Sequence, residues 1–319
     1  MKTNDCINIL IASDTNYAPF YGIMLTSLFD KNKESLFNIY FLTDKTLTGE
    51  DAKKFKKLIA SYNANLFVLP VDVDLVKKFP EVLHIKLPAY YHLSLANLLP
   101  ESVHKIIYLD GDVIINGDIR PLWNIDISNY ACAQVKDSAF LDITNYQRLE
   151  YDKKWQYYNN GIAMYNLDYL REIDFSNIAI KYIKENRDKV YWMDQDAENA
   201  LLHEKMLSLP ITYNFQTHFL TTLHWNTYSK DFQNEILATA KEPVIIHYCG
   251  PLKPWQYTYY LMPFASLWHK VRKSSLWRKH TIRKPRIKYI KHLLKRVLKR
   301  SALLNIRNKE YIEESLQFS

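Results

Sequence analysis

The first 110 residues alternate between short apolar segments and segments with helical spacing, and this alternation constrains the fold more than any other feature. The apolar runs predict four buried strands, at 7–13, 39–43, 66–71 and 105–109. Between them apolar residues recur at helical spacing, at 20–32, 48–62 and 88–98. Because parallel strands need long crossover connections that are usually helices, the pattern predicts an α/β domain with a mostly parallel sheet.

The pattern after residue 110 is mixed, and the composition changes once, near 256–265. Short strands are predicted at 131–135, 161–166 and 244–248, and helices at 168–186 and 194–204. We therefore expect one large domain over 1–263, long enough to hold a catalytic site, and a basic helical tail over 264–319.

Two aspartates flank a single residue three times, at Asp72/Asp74, Asp110/Asp112 and Asp194/Asp196. Only Asp110 directly follows an apolar strand, at the carboxyl end where ligands bind in open α/β sheets. Gly111 lets a ligand approach the backbone closely, and two nearby carboxylates can hold Mg²⁺ or Mn²⁺ together with phosphate oxygens. The alternative is a solvated turn after a strand.

A second chemical signal is the segment from His247 to Trp255, which follows the apolar run Val244-Ile245-Ile246. His247 can supply a nitrogen ligand to the same metal, and Lys253, which lies between two prolines, can neutralise a phosphate. Taken alone, His247 is as compatible with a hydrogen-bonded histidine in the core.

Several classes of protein are excluded by what the sequence lacks. The chain has six glycines and contains neither a G-x-G-x-x-G nor a P-loop, so the common glycine-rich nucleotide sites are excluded. The three cysteines are widely spaced, which argues against a disulfide framework and favours the cytosol. No run of 18 apolar residues occurs, and the N-terminal apolar run is too short for a secretory signal.

Positive charge is concentrated near the C-terminus. Residues 264–309 contain 16 Lys and Arg and no acid, although the whole chain carries a net charge of only +8. Apolar residues at helical spacing over 287–298 alternate with cations, as in a basic amphipathic helix that lies on a membrane. Trp268 and Trp277 precede it and suit a lipid interface. The alternatives are a helix packed on the body and a nucleic-acid contact.

In the order of these motifs the chain resembles glycosyltransferase family 8, and within it the bacterial lipooligosaccharide and lipopolysaccharide galactosyl- and glucosyltransferases. The resemblance covers about residues 7–256 and rests on five ordered segments. These are residues 12–17 (ASDTNY), 108–113 (YLDGDV), 158–161 (YNNG), 194–196 (DQD) and 247–255 (HYCGPLKPW).

The resemblance implies a GT-A fold that transfers galactose or glucose from a UDP-sugar with retention at the anomeric carbon. It implies that Mn²⁺, with Mg²⁺ as a substitute, is held by Asp110, Asp112 and His247. The residues that it places around donor and acceptor are Ala12, Asp14, Asn16, Tyr17, His84, Ile85, His92, Gly111, Asn159, Gly250 and Lys253. It assigns catalytic roles to Asp137, Asp194, Gln195 and Lys253.

One position departs from the family pattern, where an arginine of a Y-x-R-L segment reaches the donor. This chain has Tyr90-Tyr91-His92-Leu93, and a neutral histidine cannot make the fork of bonds that arginine makes. Donor recognition at this corner is therefore expected to differ. Gln195, which the resemblance places below the sugar, is a poor nucleophile, so same-face attack by the acceptor is favoured over a covalent intermediate.

The expected partners are a UDP-hexose, a saccharide acceptor that is lipid-linked, and an anionic membrane surface contacted through residues 270–309. Nucleic acid is not expected. The protein would then lie in the cytoplasm, peripherally on the inner face of the membrane. Two competing hypotheses are an aspartyl phosphatase, whose D-x-D follows the first strand, and a non-catalytic membrane or nucleic-acid binding module on a transferase-like scaffold.

Overall fold

A computed structural model describes residues 6–13, 16–43, 47, 49–71, 91–220, 225–251, 253–256 and 262–280. The statements below concern these residues. Asp72 and Asp74, His84 and Ile85, and the basic stretch after residue 280 lie outside them.

The main sheet has seven strands in the order β3-β2-β1-β4-β7-β6-β8. They are β1 Ile7–Ser13, β2 Phe37–Thr43, β3 Ala64–Pro70, β4 Lys105–Leu109, β6 Cys132–Lys136, β7 Tyr158–Asn166 and β8 Met206–Ser208. Neighbours among β3, β2, β1 and β4 run parallel, whereas β7 is antiparallel to both β4 and β6. A three-stranded sheet contains β5 Val113–Ile115, β9 Phe215–Gln216 and β10 Ile245–His247. The predicted α/β class is confirmed, and the main sheet is mixed because β7 runs antiparallel to its neighbours.

Helices cover both faces of the main sheet. The α-helices are α1 Ala18–Lys31, α2 Gly49–Ala60, α3 Leu95–Leu98, α4 Arg120–Trp123, α5 Ile143–Leu149, α6 Leu167–Glu172, α7 Phe175–Glu185, α8 Met193–Leu202, α9 Lys230–Thr239 and α10 Ala265–Ser274. Side chains of β1 alternate between two hydrophobic cores, with Ile9 and Ile11 facing α1 and α2, and Leu10 and Ala12 facing α6, α7 and α8. This is why the central strands are apolar on both faces.

The small sheet brings distant parts of the chain to the end of β4. In the antiparallel pairing of β5 with β10, His247 lies opposite Val113, which is the residue that follows Asp112 in the chain. The backbone N–H of Asp110 donates to the carbonyl of Gly161 in β7 at 2.8 Å. The topology therefore places Asp110, Asp112, Gly161 and His247 together.

The single helix predicted over 168–186 is wrong, because the chain forms two helices that are separated at Ile173 and Asp174. Asp174 has a φ of 51°, in the left-handed region that a continuous helix does not allow. In the predicted helix over 88–98, the described part is a 3₁₀ turn at His92–Ser94 followed by α3.

The expectation that Trp268 and Trp277 face lipid is also wrong, because both side chains are buried. Trp277 packs over Gly22 and Phe55, and its indole Nε1 donates to Asp51 Oδ1 at 2.7 Å. Residues 264–280, which we expected in the tail, belong to the packed body. In the part of the chain that the structure describes, no helix is both long and apolar enough to cross a membrane.

Candidate active site

Three side chains converge at the carboxyl end of β4. Ligand atoms of Asp110, Asp112 and His247 all lie within 4.8 Å of one another. His247 Nε2 is 3.7 Å from Asp110 Oδ2 and 3.4 Å from Asp112 Oδ1. Two carboxylates and an imidazole are a donor set that Mn²⁺ and Mg²⁺ accept, so these residues fit a divalent cation.

Gly161 makes this convergence possible. A Cβ atom at this position would overlap His247 Cε1 and lie 2.7 Å from Asp110 Oδ2. The predicted strand at 161–166 begins earlier, at Tyr158, so the whole Tyr158-Asn159-Asn160-Gly161 motif lies on β7 beside the cluster. Position 161 of the motif therefore needs glycine, because any side chain there would occupy the space of His247 and Asp110.

Neighbouring polar groups orient the three ligands. The Tyr108 hydroxyl donates to Asp110 Oδ1 at 2.7 Å. His247 Nδ1 lies 3.0 Å from Asn214 Oδ1, and Asn214 Nδ2 donates to Asn159 Oδ1 at 2.8 Å. Since the Asn214 oxygen can only accept, Nδ1 carries a proton, and Nε2 is the nitrogen that faces the two carboxylates.

Lys253 supplies a positive charge next to Asp112. Its Nζ bonds to Asp112 Oδ2 and donates to the carbonyl of Tyr248 at 2.9 Å. Burial would raise the pKa of Asp112, but the charges of Lys253 and His247 outweigh it and hold the pKa well below its ordinary value. Asp112 is therefore ionised and able to bind a cation at neutral pH.

A second cluster of amides and carboxylates adjoins the first. Asn159 Nδ2 donates to Asp137 Oδ2 at 3.0 Å and to Gln195 Oε1 at 3.1 Å. Gln195 Nε2 donates to Asp137 Oδ2 at 3.3 Å, and Asn160 Nδ2 donates to Asp194 Oδ2 at 2.8 Å. The structure therefore brings together Asp137, Asn159, Asp194 and Gln195.

Asp196, the last acid of the 194–196 segment, points away from this cluster. It is fully buried and accepts five hydrogen bonds, two from Arg148 and one each from Tyr157, Tyr191 and Trp192. Both bonds to the backbone N–H groups of 191 and 192 fix the start of α8, which carries Asp194 and Gln195 as its second and third residues.

The predicted nucleotide-binding residues line the next stretch of the sheet edge. Tyr17 is half-buried against Phe20 and Trp255, at ring-centroid distances of 4.9 and 6.0 Å. The carbonyl of Ala12 accepts from the Tyr21 hydroxyl at 2.7 Å, and Asn16 is exposed.

Two predicted glycines are closely packed. A Cβ at Gly111 would lie 2.9 Å from the Tyr21 ring, and Gly250 has a φ of +79°. Of the other predicted residues, Asp14, His84 and Ile85 lie outside the described part of the chain, and His92 begins the 3₁₀ turn named above.

Sequence reasoning missed Asn214, Asn160 and Tyr108 as site residues. Tyr108 and Asn160 stand inside motifs that the sequence did single out, so adjacency was a usable signal. Asn214 lies in the 3₁₀ turn Ile211–Asn214, between motifs, and nothing in the local sequence marks it. Only the pairing of β9 with β10 brings it next to His247.

Comparison with known proteins is consistent with this geometry. Residues 8–259 match the model of glycosyl transferase family 8. General stress protein A of Bacillus subtilis strain 168 is 27% identical over 260 residues, which cover 80% of this chain and 89% of that protein. A lipopolysaccharide 1,2-glucosyltransferase of Escherichia coli K12 is 26% identical over 280 residues, covering 87% and 81%.

The fold agrees with a solved structure, that of the galactosyltransferase LgtC in complex with donor and acceptor sugar analogues. The TM-score is 0.72 at 20% identity, covering 85% of this chain and 96% of that one. The architecture is thus the GT-A type that the resemblance implied. With the family model spanning most of its length and all three clustered ligands inside the match, this chain belongs to glycosyl transferase family 8 and is a glycosyltransferase.

Proposed function

We propose that the protein transfers glucose or galactose from a UDP-sugar to a saccharide of the lipopolysaccharide or lipooligosaccharide type, with retention and with Mn²⁺. One observation carries the proposal, the convergence of Asp110, Asp112 and His247 beside Lys253 at the carboxyl edge of the sheet. A cation site next to a fixed lysine suits a diphosphate, which needs positive charge on more than one oxygen.

In this proposal Asp110, Asp112 and His247 hold the cation, and Mg²⁺ is a possible substitute. When bound, the cation offsets the negative charge of the leaving diphosphate. Lys253 adds a fixed charge beside it, and Gly250 allows the chain to turn close to the phosphates. Tyr17 stacks on uracil, and Ala12, Asp14 and Asn16 border the uridine.

The second cluster serves the sugar. Asn159, Asp194 and Gln195 face the donor hexose, Asp137 lies between donor and acceptor, and His84 and Ile85 belong to the acceptor side. His92 stands where the family has an arginine, so we expect the hydrogen bonds to the donor at this position to differ.

Retention is best explained by same-face attack. Gln195 is an amide that is hydrogen-bonded to Asn159 and Asp137, and it is a poor nucleophile. Asp196 is buried and bonded to Arg148, which removes it as a nucleophile. The acceptor hydroxyl would attack from the side on which UDP departs, giving its proton to the departing phosphate. Trapping a sugar covalently bound to Asp194 or Gln195 would contradict this route.

Manganese binding tests the site without relying on turnover. Titration of the full chain, with free Mn²⁺ followed by electron paramagnetic resonance, should show binding that UDP strengthens. Asp112→Asn should weaken it at least about 10-fold, because one ionised ligand is lost. Asp118→Asn is the matched control, because it removes a carboxylate from an exposed ion pair with Arg120. This variant should bind Mn²⁺ with native affinity. Equal affinity in native protein and Asp112→Asn would refute the assignment.

The proposal extends to the membrane. The acceptor is lipid-linked, UDP-sugars are cytosolic, and the basic stretch after residue 280 would hold the enzyme on the anionic inner surface. The protein would then be cytoplasmic and peripheral. The cations of this stretch support the idea, and the tryptophans that precede it do not contribute because they are buried.

A further inference from the structure

The last described segment, residues 262–280, packs behind the part of the proposed donor site that includes Lys253. We call residues 262–280 the C-terminal segment, and residues 249–251 with 253–256 the donor loop. One hydrogen bond connects the two, and a second joins the C-terminal segment to the residue just before the loop. His269 Nε2 lies 2.9 Å from the carbonyl oxygen of Pro254, and the Tyr248 hydroxyl, just before the loop, donates to the carbonyl of Phe264 at 2.7 Å.

The bond from His269 has a defined direction. The carbonyl of Pro254 can only accept, so Nε2 of His269 carries the proton. Burial lowers the pKa of His269 below its ordinary value, which keeps the imidazole neutral. A neutral ring with a single N–H directed at Pro254 holds the backbone next to Lys253 in one place.

An aromatic stack makes a second connection. The Trp255 ring stacks on Phe20 at a centroid distance of 4.1 Å and lies 5.3 Å from the ring of Trp268 in α10. Trp255 also meets Tyr17 edge-on, at a centroid distance of 6.0 Å. Trp255 of the donor loop therefore contacts both the proposed uracil-stacking tyrosine and Trp268 of the C-terminal segment.

The C-terminal segment is itself fixed to the body. Trp277 fills the space over Gly22, and its indole N–H is bonded to Asp51 in α2. Arg272 Nη1 donates to the carbonyl of Arg278 at 2.8 Å and closes the end of the segment on itself. The segment can thus act as a rigid support, because its own conformation is determined by buried contacts.

We propose that His269 is a positioning residue of the donor site, acting through Pro254 to hold Lys253 where the donor diphosphate binds. The inference rests on the proposed function, since it takes UDP as the ligand. It extends the donor site to a segment beyond the residues matched by the family model, which end at 259. His269 affects diphosphate binding more than uridine binding, because Pro254 is bonded directly to Lys253, whereas it reaches Tyr17 only through the ring of Trp255.

Calorimetric titration of the full chain with UDP and with uridine, both in the presence of Mn²⁺, tests this inference. His269→Leu removes the donor at similar volume and should weaken UDP binding about 3- to 10-fold, the worth of one hydrogen bond. Uridine affinity and the KM for acceptor should change less than about 2-fold. His269→Gln, whose amide can also donate to Pro254, should recover most of the UDP affinity. Lys273→Leu, on an exposed position of the same helix, is the matched control.

The outcomes separate the inference from the proposed function. UDP affinity lowered in His269→Leu and recovered in His269→Gln supports both. Native affinity in His269→Leu overturns the inference while leaving the proposed function intact. An equal loss for UDP and uridine, or a loss that His269→Gln does not recover, also overturns it, because a general loss of structure then explains the result. Native protein that binds no UDP refutes the proposed function, and this inference with it.

Discussion

Gly161 and Asn214 illustrate how single residues decide the geometry of the candidate metal cluster. Gly161 leaves room for His247 and Asp110, and Asn214 fixes the tautomer of His247. The sequence indicated Gly161 because it lies in a motif, but it did not indicate Asn214. A hydrogen-bonding partner that comes from a distant turn has no local signature, whereas a ligand at a strand end does.

Replacing Gly161 with alanine should abolish tight metal binding, since the new methyl group would overlap His247 Cε1. We expect Mn²⁺ affinity to fall at least about 10-fold and stability to fall by about 1–3 kcal/mol, as in other overpacked sites. Gly49→Ala serves as the control. Its φ of +64° makes the substitution strained, yet nothing lies within 4 Å. It should therefore lose stability and keep native Mn²⁺ affinity. Normal binding by Gly161→Ala would contradict the packing argument.

Asn214→Ser should weaken Mn²⁺ binding about 10-fold, because His247 loses the acceptor that holds its Nδ1 proton. Circular dichroism should show a native fold. Asn177→Ser changes an exposed asparagine whose side-chain amide donates to Asp174. It is the control and should bind Mn²⁺ as the native chain does. If both variants bind equally well, Asn214 has no part in orienting the ligand.

At the scale of elements, the sequence predicted the parallel half of the sheet well. Strands β1 to β4 and helices α1 and α2 are bounded by clear changes in apolar spacing, and their observed limits lie within a few residues of the predicted ones. The break between α6 and α7 escaped prediction because the apolar spacing continues through it. It is made by the left-handed backbone of Asp174, a residue type that tolerates that conformation. The burial of Trp268 and Trp277 also escaped, since only tertiary contacts distinguish a buried tryptophan from one in a lipid interface.

The start of α8 depends on the buried pair of Arg148 and Asp196. Arg148→Met should destabilise the fold by about 3–5 kcal/mol in urea unfolding, because the buried carboxylate of Asp196 would lose its cationic partner. The double variant Arg148→Met with Asp196→Asn should recover a large part of that loss. Arg120→Met removes an exposed pair with Asp118 and should leave the unfolding midpoint nearly unchanged. A double variant no more stable than Arg148→Met alone would show that the charge of Asp196 is not the cause.

At the scale of the whole molecule, a mildly acidic body continues into a basic stretch. The body holds the proposed catalytic groups, and in the sequence the C-terminal segment comes before most of the basic residues. Membrane contact is therefore expected to depend on residues after 280, and catalysis on residues before it.

Neutralising the basic stretch in the full chain should separate these two properties. We expect a variant with six cations changed to glutamine, at Lys288, Lys291, Lys295, Arg296, Lys299 and Arg300, to lose sedimentation with anionic liposomes. Each such cation contributes about 1 kcal/mol at an anionic surface. Turnover of a short soluble acceptor should persist. A control with Lys53, Lys56 and Lys57 changed to glutamine, exposed on α2, should still sediment. Undiminished sedimentation of the six-site variant would contradict membrane attachment through this stretch.

Metal-dependent use of a UDP-sugar is tested most directly by UDP release from a panel of UDP-sugars. The purified full chain is assayed with Mn²⁺ and with a chelator, as native protein and as Asp112→Asn. We expect release from UDP-glucose or UDP-galactose that needs Mn²⁺ and falls by roughly 10²–10³-fold in the variant, the usual scale of such electrostatic contributions. Release that persists with the chelator, or in Asp112→Asn at the native rate, would contradict a metal-dependent transferase built on Asp110, Asp112 and His247.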